Sequence, residues 1–236
     1  MPYQEPNRNI CPAAFIIEEG FGLDELDAIV ASMADEAVTA GVRIVTGDTK
    51  VVEKGQCDRL FINTAGVGVL SKKLVHVSSA STVRAGDRLI INGPPGDHAV
   101  TILASRRNIL FDTPVASDCA SLNKLIRRVT EKPRAIHFMR DLTRGGLAAV
   151  LNELAAMTGC SMCVDEASVP LEEPVRGLCE ILGFDPLTLA SEGRVLIVSS
   201  AGEAEEIVDR MRRDPQGKGT AIIGEITAGR EGRVNT

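Results

Sequence analysis

The chain has 236 residues, of which 44% are hydrophobic and 25% charged, and its formal net charge is −6. This composition is typical of a globular protein with an ordinary core and argues against disorder. The negative charge argues against a general affinity for nucleic acid or for an anionic membrane. No apolar run approaches the ~20 residues of a membrane span. The first ten residues also lack the basic-then-apolar order of a signal peptide, so we expect a cytoplasmic protein.

The first third of the chain predicts one helix among several strands. Apolar residues from Leu26 to Val38 recur at helical spacing, and Gly41 follows where a helix commonly ends in a left-handed residue. Residues 46–49 read as a tight turn between two strands. The predicted strands are 15–17, 43–45, 50–52 and 60–70.

The small polar segment 77–83 is the best candidate linker and divides the chain into domains 1–78 and 79–236. The second domain alternates strands and helices, which favours helices packed on a sheet. Its predicted strands are 88–91, 135–138, 161–164, 195–198 and 220–226. Its predicted helices are 116–129, 143–157, 173–182 and 203–213.

Cys160 and Cys163 have the CxxC spacing of some zinc and redox sites. No second CxxC or histidine pair accompanies them in the sequence. Residues 161–164 also read as a short strand, in which cysteine serves as a small hydrophobe. We favour the strand.

The segment Thr46-Gly-Asp-Thr-Lys50 contains groups suited to a metal–phosphate ligand. Asp48 can bind magnesium through a hard oxygen, and Lys50 can reach phosphate oxygens as a point charge. The spacing of a Walker loop is absent. On these residues alone, a polar turn with a solvated lysine is the favoured alternative.

The segment Arg140-Asp-Leu-Thr-Arg-Gly-Gly-Leu147 precedes a predicted helix. Asp141 or Thr143 can cap that helix, and a helix N-terminus beside Arg144 can bind an anion. Capping leaves Gly145 and Gly146 unexplained, since glycine weakens a helix unless something must approach the backbone. A ligand site and a purely structural role therefore remain equally open.

The segment Ala190-Ser-Glu-Gly-Arg194 leads into a predicted strand. Glu192 could be a metal ligand or an orienting carboxylate. A surface turn carrying a glutamate–arginine pair, Glu192 with Arg194, is the commoner explanation.

Together these segments resemble the HypE family of hydrogenase-maturation proteins, which is grouped with selenophosphate synthetase, thiamine-phosphate kinase and aminoimidazole ribonucleotide synthetase. The matching stretches occur in the family's order and cover nearly the whole chain after Ala14. The pair TGDTKVV and RDLTRGG is specific to this branch. The stretches are FIIEEGF (15–21), VTGDTKVV (45–52), FINTAGVG (61–68), GDH (96–98), MRDLTRGG (139–146), ASEG (190–193) and IGEIT (223–227).

The resemblance implies a partial, barrel-forming N-terminal α/β domain followed by a helix-on-sheet α+β domain, with ATP and Mg²⁺ as cofactors. By position, Asp48 would bind the metal. The nucleotide would be bound by Asp48, Thr49, Lys50, Asp141, Arg144 and Glu192. The family's reaction is an ATP-dependent dehydration of a thiocarboxamide, carried on a C-terminal cysteine, to a thiocyanate. The cyano group serves nickel–iron hydrogenase through the HypC–HypD complex, and HypF supplies the carbamoyl group.

The chain departs from the family pattern at both ends, so we expect it to be truncated and unable to complete the reaction alone. The family's glycine-rich and acidic N-terminal section is missing before Phe15, and its terminal cysteine is missing after Thr236. Cys179 lies in a predicted helix and is no substitute. A homodimer remains open. The alternatives are a non-catalytic docking module for maturation partners and, least favoured, another enzyme of the superfamily such as selenophosphate synthetase.

Overall fold

The computed structural model describes residues 9–107, 115–229 and 233–235. These residues form two compact units, one ending at Leu70 and one beginning at Ser71. The domain boundary predicted from the sequence, between residues 78 and 79, stays a prediction. Within the described ranges, none of the helices combines the length and apolar character that crossing a bilayer requires.

The first unit is a three-stranded sheet with one helix. Strand β1 (Ile10–Glu18) lies between β2 (Arg43–Val52) and β3 (Leu60–Thr64), parallel to β2 and antiparallel to β3. Helix α1 (Leu23–Ala40) makes the crossover between the parallel strands. It ends, as the sequence predicts, at Gly41, whose φ of 65° is left-handed.

The predicted turn at 46–49 is wrong, because β2 runs unbroken through it. Its residues pair with β1 from Arg43 to Val52. Gly47 permits this pairing, since a Cβ at this position would overlap the carbonyl oxygen of Ala13 on β1. The glycine that suggested a turn therefore serves a close approach between two backbones. Strand β3 is shorter than predicted, and beyond it Val67 forms only a bridge to Ile10.

The second unit is an α+β domain built on a six-stranded sheet. Its strands are β4 (Arg88–Ile91), β5 (Ile136–Asp141), β6 (Ser161–Val164), β7 (Val195–Ser199), β8 (Ala221–Thr227) and β9 (Val234–Asn235). Its helices are α2 (Val75–Ser79), α3 (Asp97–Arg107), α4 (Asn123–Val129), α5 (Gly146–Thr158), α6 (Glu173–Leu182) and α7 (Ala204–Arg212). The strand order is β5-β7-β4-β8-β6-β9, antiparallel except for the β6–β9 pair.

Helices cover both faces of this sheet, which confirms the predicted helix-on-sheet arrangement. Successive side chains of a strand point to opposite faces. Accordingly, Leu89 and Ile91 of β4 join the cluster under α5, whereas Ile90 joins the cluster under α4 and α7. All three side chains are fully buried.

Helix α4 begins at Asn123, later than the predicted 116, because polar contacts hold the preceding residues in an irregular conformation. The Ser117 hydroxyl accepts a hydrogen bond from the Cys119 amide at 3.2 Å. The Asp118 carboxylate accepts one from the Glu192 amide at 2.8 Å. Side chains of this type compete with helical backbone bonds.

Strand β6 has the predicted bounds, and its residue Cys163 is paired with Glu225 of the neighbouring strand β8. Cys160 packs against the core cluster under α5. These positions confirm the strand predicted around the CxxC spacing.

Candidate functional site

In the first unit, Asp48, Thr49 and Lys50 lie consecutively on β2, an edge strand of its sheet. All three are exposed. Because side chains alternate along a strand, Asp48 and Lys50 share one face and Thr49 occupies the other. The Thr49 amide donates to the Asp48 carboxylate at 2.9 Å. The strand therefore presents a carboxylate and an ammonium group side by side on an open face.

The donor set around Asp48 limits how a metal ion could be held. The described part of the chain contains no cluster of three or more histidine, cysteine, aspartate or glutamate side chains suited to a metal. Magnesium is often bound by one or two carboxylates together with phosphate oxygens and water. Asp48 fits that shared kind of ligation and does not form a cage by itself.

In the second unit, Asp141 is the last residue of β5, and the chain then turns into α5. The Thr143 hydroxyl donates to the Asp141 carboxylate at 3.2 Å. Neither side chain caps α5, whose N-cap is Gly145 without a side-chain bond. The capping interpretation is therefore wrong for both residues.

The glycine pair has a structural explanation. Gly145 and Gly146 have φ values of 74° and 60°, in the left-handed region that favours glycine. A Cβ at Gly146 would also lie 2.5 Å from the Leu189 carbonyl oxygen and 2.6 Å from that of Leu187. Close packing of the chain against itself accounts for Gly146 without requiring a ligand there.

Backbone hydrogen bonds join the two candidate motifs of this unit at one end of the sheet. Leu142 accepts from the Ser191 amide at 3.0 Å and donates to the Arg194 carbonyl at 3.1 Å. Asp141 is paired with Val195 in the ladder between β5 and β7. The loop of Asp141 and Arg144 and the loop of Glu192 are therefore neighbours, although they are far apart in sequence.

Asp141, Thr143 and Arg144 line a cavity of about 420 Å³ together with Arg140, Val150 and Glu153. An ion pair of 2.6 Å links Arg140 to Glu153. Arg144 and Asp141 are exposed and leave this cavity accessible to a ligand. Glu192 is also exposed but does not line it.

The predicted Glu192–Arg194 surface pair is not formed. The Arg194 guanidinium instead lies 3.3 Å from the Asp97 carboxylate and 3.8 Å from that of Asp118. It also donates to the Pro94 carbonyl at 2.6 Å. Arg194 therefore points into the protein and fixes the base of the loop that carries Glu192.

Sequence reasoning missed this network around Arg194. Burial raises the pKa of Asp97 to about 6; Arg194 opposes the rise, whereas the Asp118 and Glu172 carboxylates add to it. One carboxylate oxygen each of Asp97 and Asp118 is buried without a hydrogen-bond partner.

The sequence contained a signal for only one of these two carboxylates. Asp97 lies in the GDH segment at 96–98, which matches the family, whereas no motif pointed to Asp118. Neighbouring His98 binds the Ser117 hydroxyl through Nδ1 at 2.9 Å.

Comparison with known proteins places this fold and its loops in a defined class. The chain matches the AIR synthase related protein N-terminal domain over residues 10–70 and the C-terminal domain over residues 84–236. The carbamoyl dehydratase HypE of Rhodobacter capsulatus is 48% identical over 222 residues, which are 94% of this chain and 65% of the relative.

Two solved structures are similar throughout the matched region. The HypE–HypF complex has a TM-score of 0.90 at 43% identity, covering 95% of this chain and 73% of the other. HypE in complex with ATP has a TM-score of 0.89 at 41% identity, covering 97% and 70%.

The two-sheet fold and its loops thus define an AIR synthase related protein. Within that class, the chain belongs to the HypE family of hydrogenase-maturation proteins. It spans 65% of the length of the Rhodobacter relative, slightly less than two thirds.

Proposed function

We propose that this chain supplies the nucleotide-binding part of an ATP-dependent carbamoyl dehydratase of the HypE type. The observation that carries the proposal is the placement of Asp48 and Lys50 on one exposed face of β2 in a chain of this family. A solved HypE relative binds ATP. A polyphosphate with its metal needs a hard oxygen ligand and a compact positive charge, and these two side chains provide both.

Each candidate residue has a distinct proposed role. Asp48 would hold a magnesium ion together with the phosphates, and Lys50 would contact phosphate oxygens. The Thr49 amide steadies the Asp48 carboxylate, while the Thr49 hydroxyl lies on the other face of β2. In the second unit, Arg144 is the anion-binding group of the cavity, and Asp141 holds the Thr143 hydroxyl beside it. Glu192 is an exposed carboxylate on a loop anchored by Arg194 and Asp118. We propose that it orients the group that is dehydrated.

The proposed reaction converts a cysteine S-carboxamide to a thiocyanate with loss of its oxygen. ATP makes that oxygen a leaving group by phosphorylating it, so that the oxygen departs in phosphate and ADP remains. The amide nitrogen loses two protons as the carbon–nitrogen triple bond forms. We propose this activity for a protein of the relatives' full length, and we propose nucleotide binding for the 236 residues of this chain.

HypF is the proposed carbamoyl donor, since a HypE relative forms a complex with it. The HypC–HypD complex is the proposed acceptor of the cyano group. A homodimer is proposed for the first unit, where apolar side chains are half exposed within the single chain. They include Phe61 at 50%, Val67 at 56% and Leu70 at 56%. Burial of such surface is the usual driving force of association.

A calorimetric titration with magnesium-ATP tests the nucleotide site. Wild-type protein and Lys54→Ala are expected to bind, whereas Lys50→Ala is expected to lose at least about tenfold in affinity, the order of one charge-assisted hydrogen bond. Lys54 is a matched control, because it is an exposed lysine that follows β2 in the same unit.

Equal weakening of both variants would show that general charge, and not the Lys50 position, attracts the nucleotide. If no variant binds ATP but the chain retains HypF in a pull-down, the docking-module alternative replaces the enzymatic proposal.

A further inference from the structure

A cavity of about 820 Å³ in the second unit is lined by an unusual number of basic side chains. None of its lining residues belongs to the proposed nucleotide site. The basic and imidazole groups are Lys73, His76, Arg84, Lys132, Arg134 and His137. Glu203 is the acidic residue among those that line it.

The fold builds this cavity beside β5, at the edge of the six-stranded sheet. Helix α2 packs against β5, and the His76 Nε2 atom lies 2.8 Å from the Ile136 carbonyl oxygen. The Nε2 nitrogen must carry the hydrogen of that bond, because a carbonyl can only accept. Lys73 and Arg134 come from two short 3₁₀ helices, 72–74 and 133–135, that contact one another.

The wall of the cavity includes a buried pair, which distinguishes it from a chance group of surface lysines. The His137 Nδ1 atom lies 2.6 Å from an Asp87 carboxylate oxygen, and the two residues are 5% and 2% exposed. The same carboxylate accepts the Arg84 amide at 2.9 Å and lies 3.8 Å from the Arg84 guanidinium. The His137 imidazole is therefore held in place before any ligand arrives, and the Arg84 backbone is tied to the same carboxylate.

The charges of the cavity do not cancel. Lys132 is matched by Glu203 at 2.9 Å and Glu206 at 2.5 Å. Asp87 offsets Arg84. Lys73 and Arg134 have no acidic partner within the described ranges. A concave site with uncompensated positive charge, in a chain whose net charge is −6, attracts anions by focusing the electrostatic field.

We propose that this cavity binds a phosphate-bearing anion, with Lys73 and Arg134 as its principal contacts and His137 at its buried wall. The guanidinium group of arginine and the ammonium group of lysine both donate hydrogen bonds to phosphate oxygens. The cavity volume lies within the range of small-molecule sites, roughly 300–1,000 Å³. It therefore has room for a phosphate ester as well as for a free phosphate.

Inorganic pyrophosphate is the probe for the test, titrated calorimetrically into the full chain carrying Lys50→Ala to remove the proposed nucleotide contact. Adding Lys73→Ala and Arg134→Ala is expected to weaken pyrophosphate binding at least about tenfold. The matched control adds Lys124→Ala and Lys218→Ala, which remove the same charge from exposed positions outside the cavity. Its affinity is expected to stay within about twofold of the Lys50→Ala parent, since distant exposed charges are screened.

Three outcomes overturn the proposal. The Lys50→Ala parent does not bind pyrophosphate, or the cavity variant and its control lose pyrophosphate affinity equally. The third is displacement of bound pyrophosphate by an acidic peptide that binds more tightly. The last result would assign the cavity to a protein segment. A phosphate ester that competes better than free phosphate supports a phosphorylated metabolite, and the reverse supports the free ion. Loss of ATP binding in Lys50→Ala with pyrophosphate binding retained separates this site from the nucleotide proposal.

Discussion

Gly146 and Leu189 lie so close together that a Cβ on the glycine would stand 2.5 Å from the leucine carbonyl oxygen. This contact seats the start of α5 against the chain that leads to Glu192. It belongs to the same corner of the sheet where Leu142 bonds Ser191 and Arg194. Backbone packing and backbone hydrogen bonds join the candidate loops in this unit, and the Arg194 and Asp118 side chains fix the base of the Glu192 loop.

Replacing Gly146 by alanine is expected to destabilise the protein by about 2–5 kcal/mol, since it adds a steric overlap to an unfavourable left-handed φ. Chemical denaturation measures this change. Gly177→Ala in α6 is the matched control, because no atom lies within 4 Å of a Cβ there. It is expected to stabilise by roughly 0.5–1 kcal/mol through helix propensity. Similar effects of both substitutions would contradict the packing role.

Gly47→Ala is expected to disrupt pairing between β1 and β2, because the added Cβ would overlap the Ala13 carbonyl oxygen. Hydrogen exchange of the β1 amides should accelerate, whereas the six-stranded sheet should keep its protection. Gly66→Ala provides the comparison, since no neighbouring atom lies within 4 Å of its Cβ position. Unchanged exchange in Gly47→Ala would show that β2 does not pass Ala13 as described.

Stability is expected to fall as the pH rises through about 6, owing to Asp97. Burial raises the pKa of Asp97 to about 6 from 3.8, so its charged form is less favourable in the folded protein than in the unfolded chain. This contribution to stability is present in full below pH ~4 and is lost as the pH rises through the folded value.

Melting temperatures between pH 4 and pH 7 test this dependence. The difference between Asp97→Asn and wild type should move in favour of the variant as the pH rises. Asp209→Asn, at an exposed position in α7, should show no such trend. A difference that stays constant across the range would refute the role of Asp97.

The cysteines should differ sharply in reactivity. Burial, followed by the nearby Asp185 charge, raises the pKa of the Cys179 thiol, which lies on the inner face of α6. Cys119 and Cys163 are exposed. A thiol-alkylating reagent at pH 7.5 should therefore label Cys119 and Cys163 in the folded protein and label Cys179 only after unfolding, as followed by mass spectrometry. Equal labelling in the folded state would be incompatible with the packing of α6.

Local pattern predicted a good part of the fold. Strand 88–91, strand 161–164 and helix 173–182 have the predicted bounds. The helix has a proline in its first turn and ends before a left-handed glycine, Gly183, both of which are local signals. The prediction failed at 46–49 and at 116–122. In both places a nonlocal partner decided the conformation: Ala13 opposite Gly47, and Glu192 opposite Asp118.

The sequence by itself determined the family and the helix-on-sheet character of the second unit, since these depend on short motifs and on the spacing of apolar residues. The nucleotide-binding residues stay a prediction. Only the tertiary structure decided that Gly146 serves backbone packing, that Arg194 turns inward to Asp97 and Asp118, and that basic residues from separate segments surround one cavity. Such features arise from contacts between residues far apart along the chain, and those contacts leave no periodic signal in the sequence.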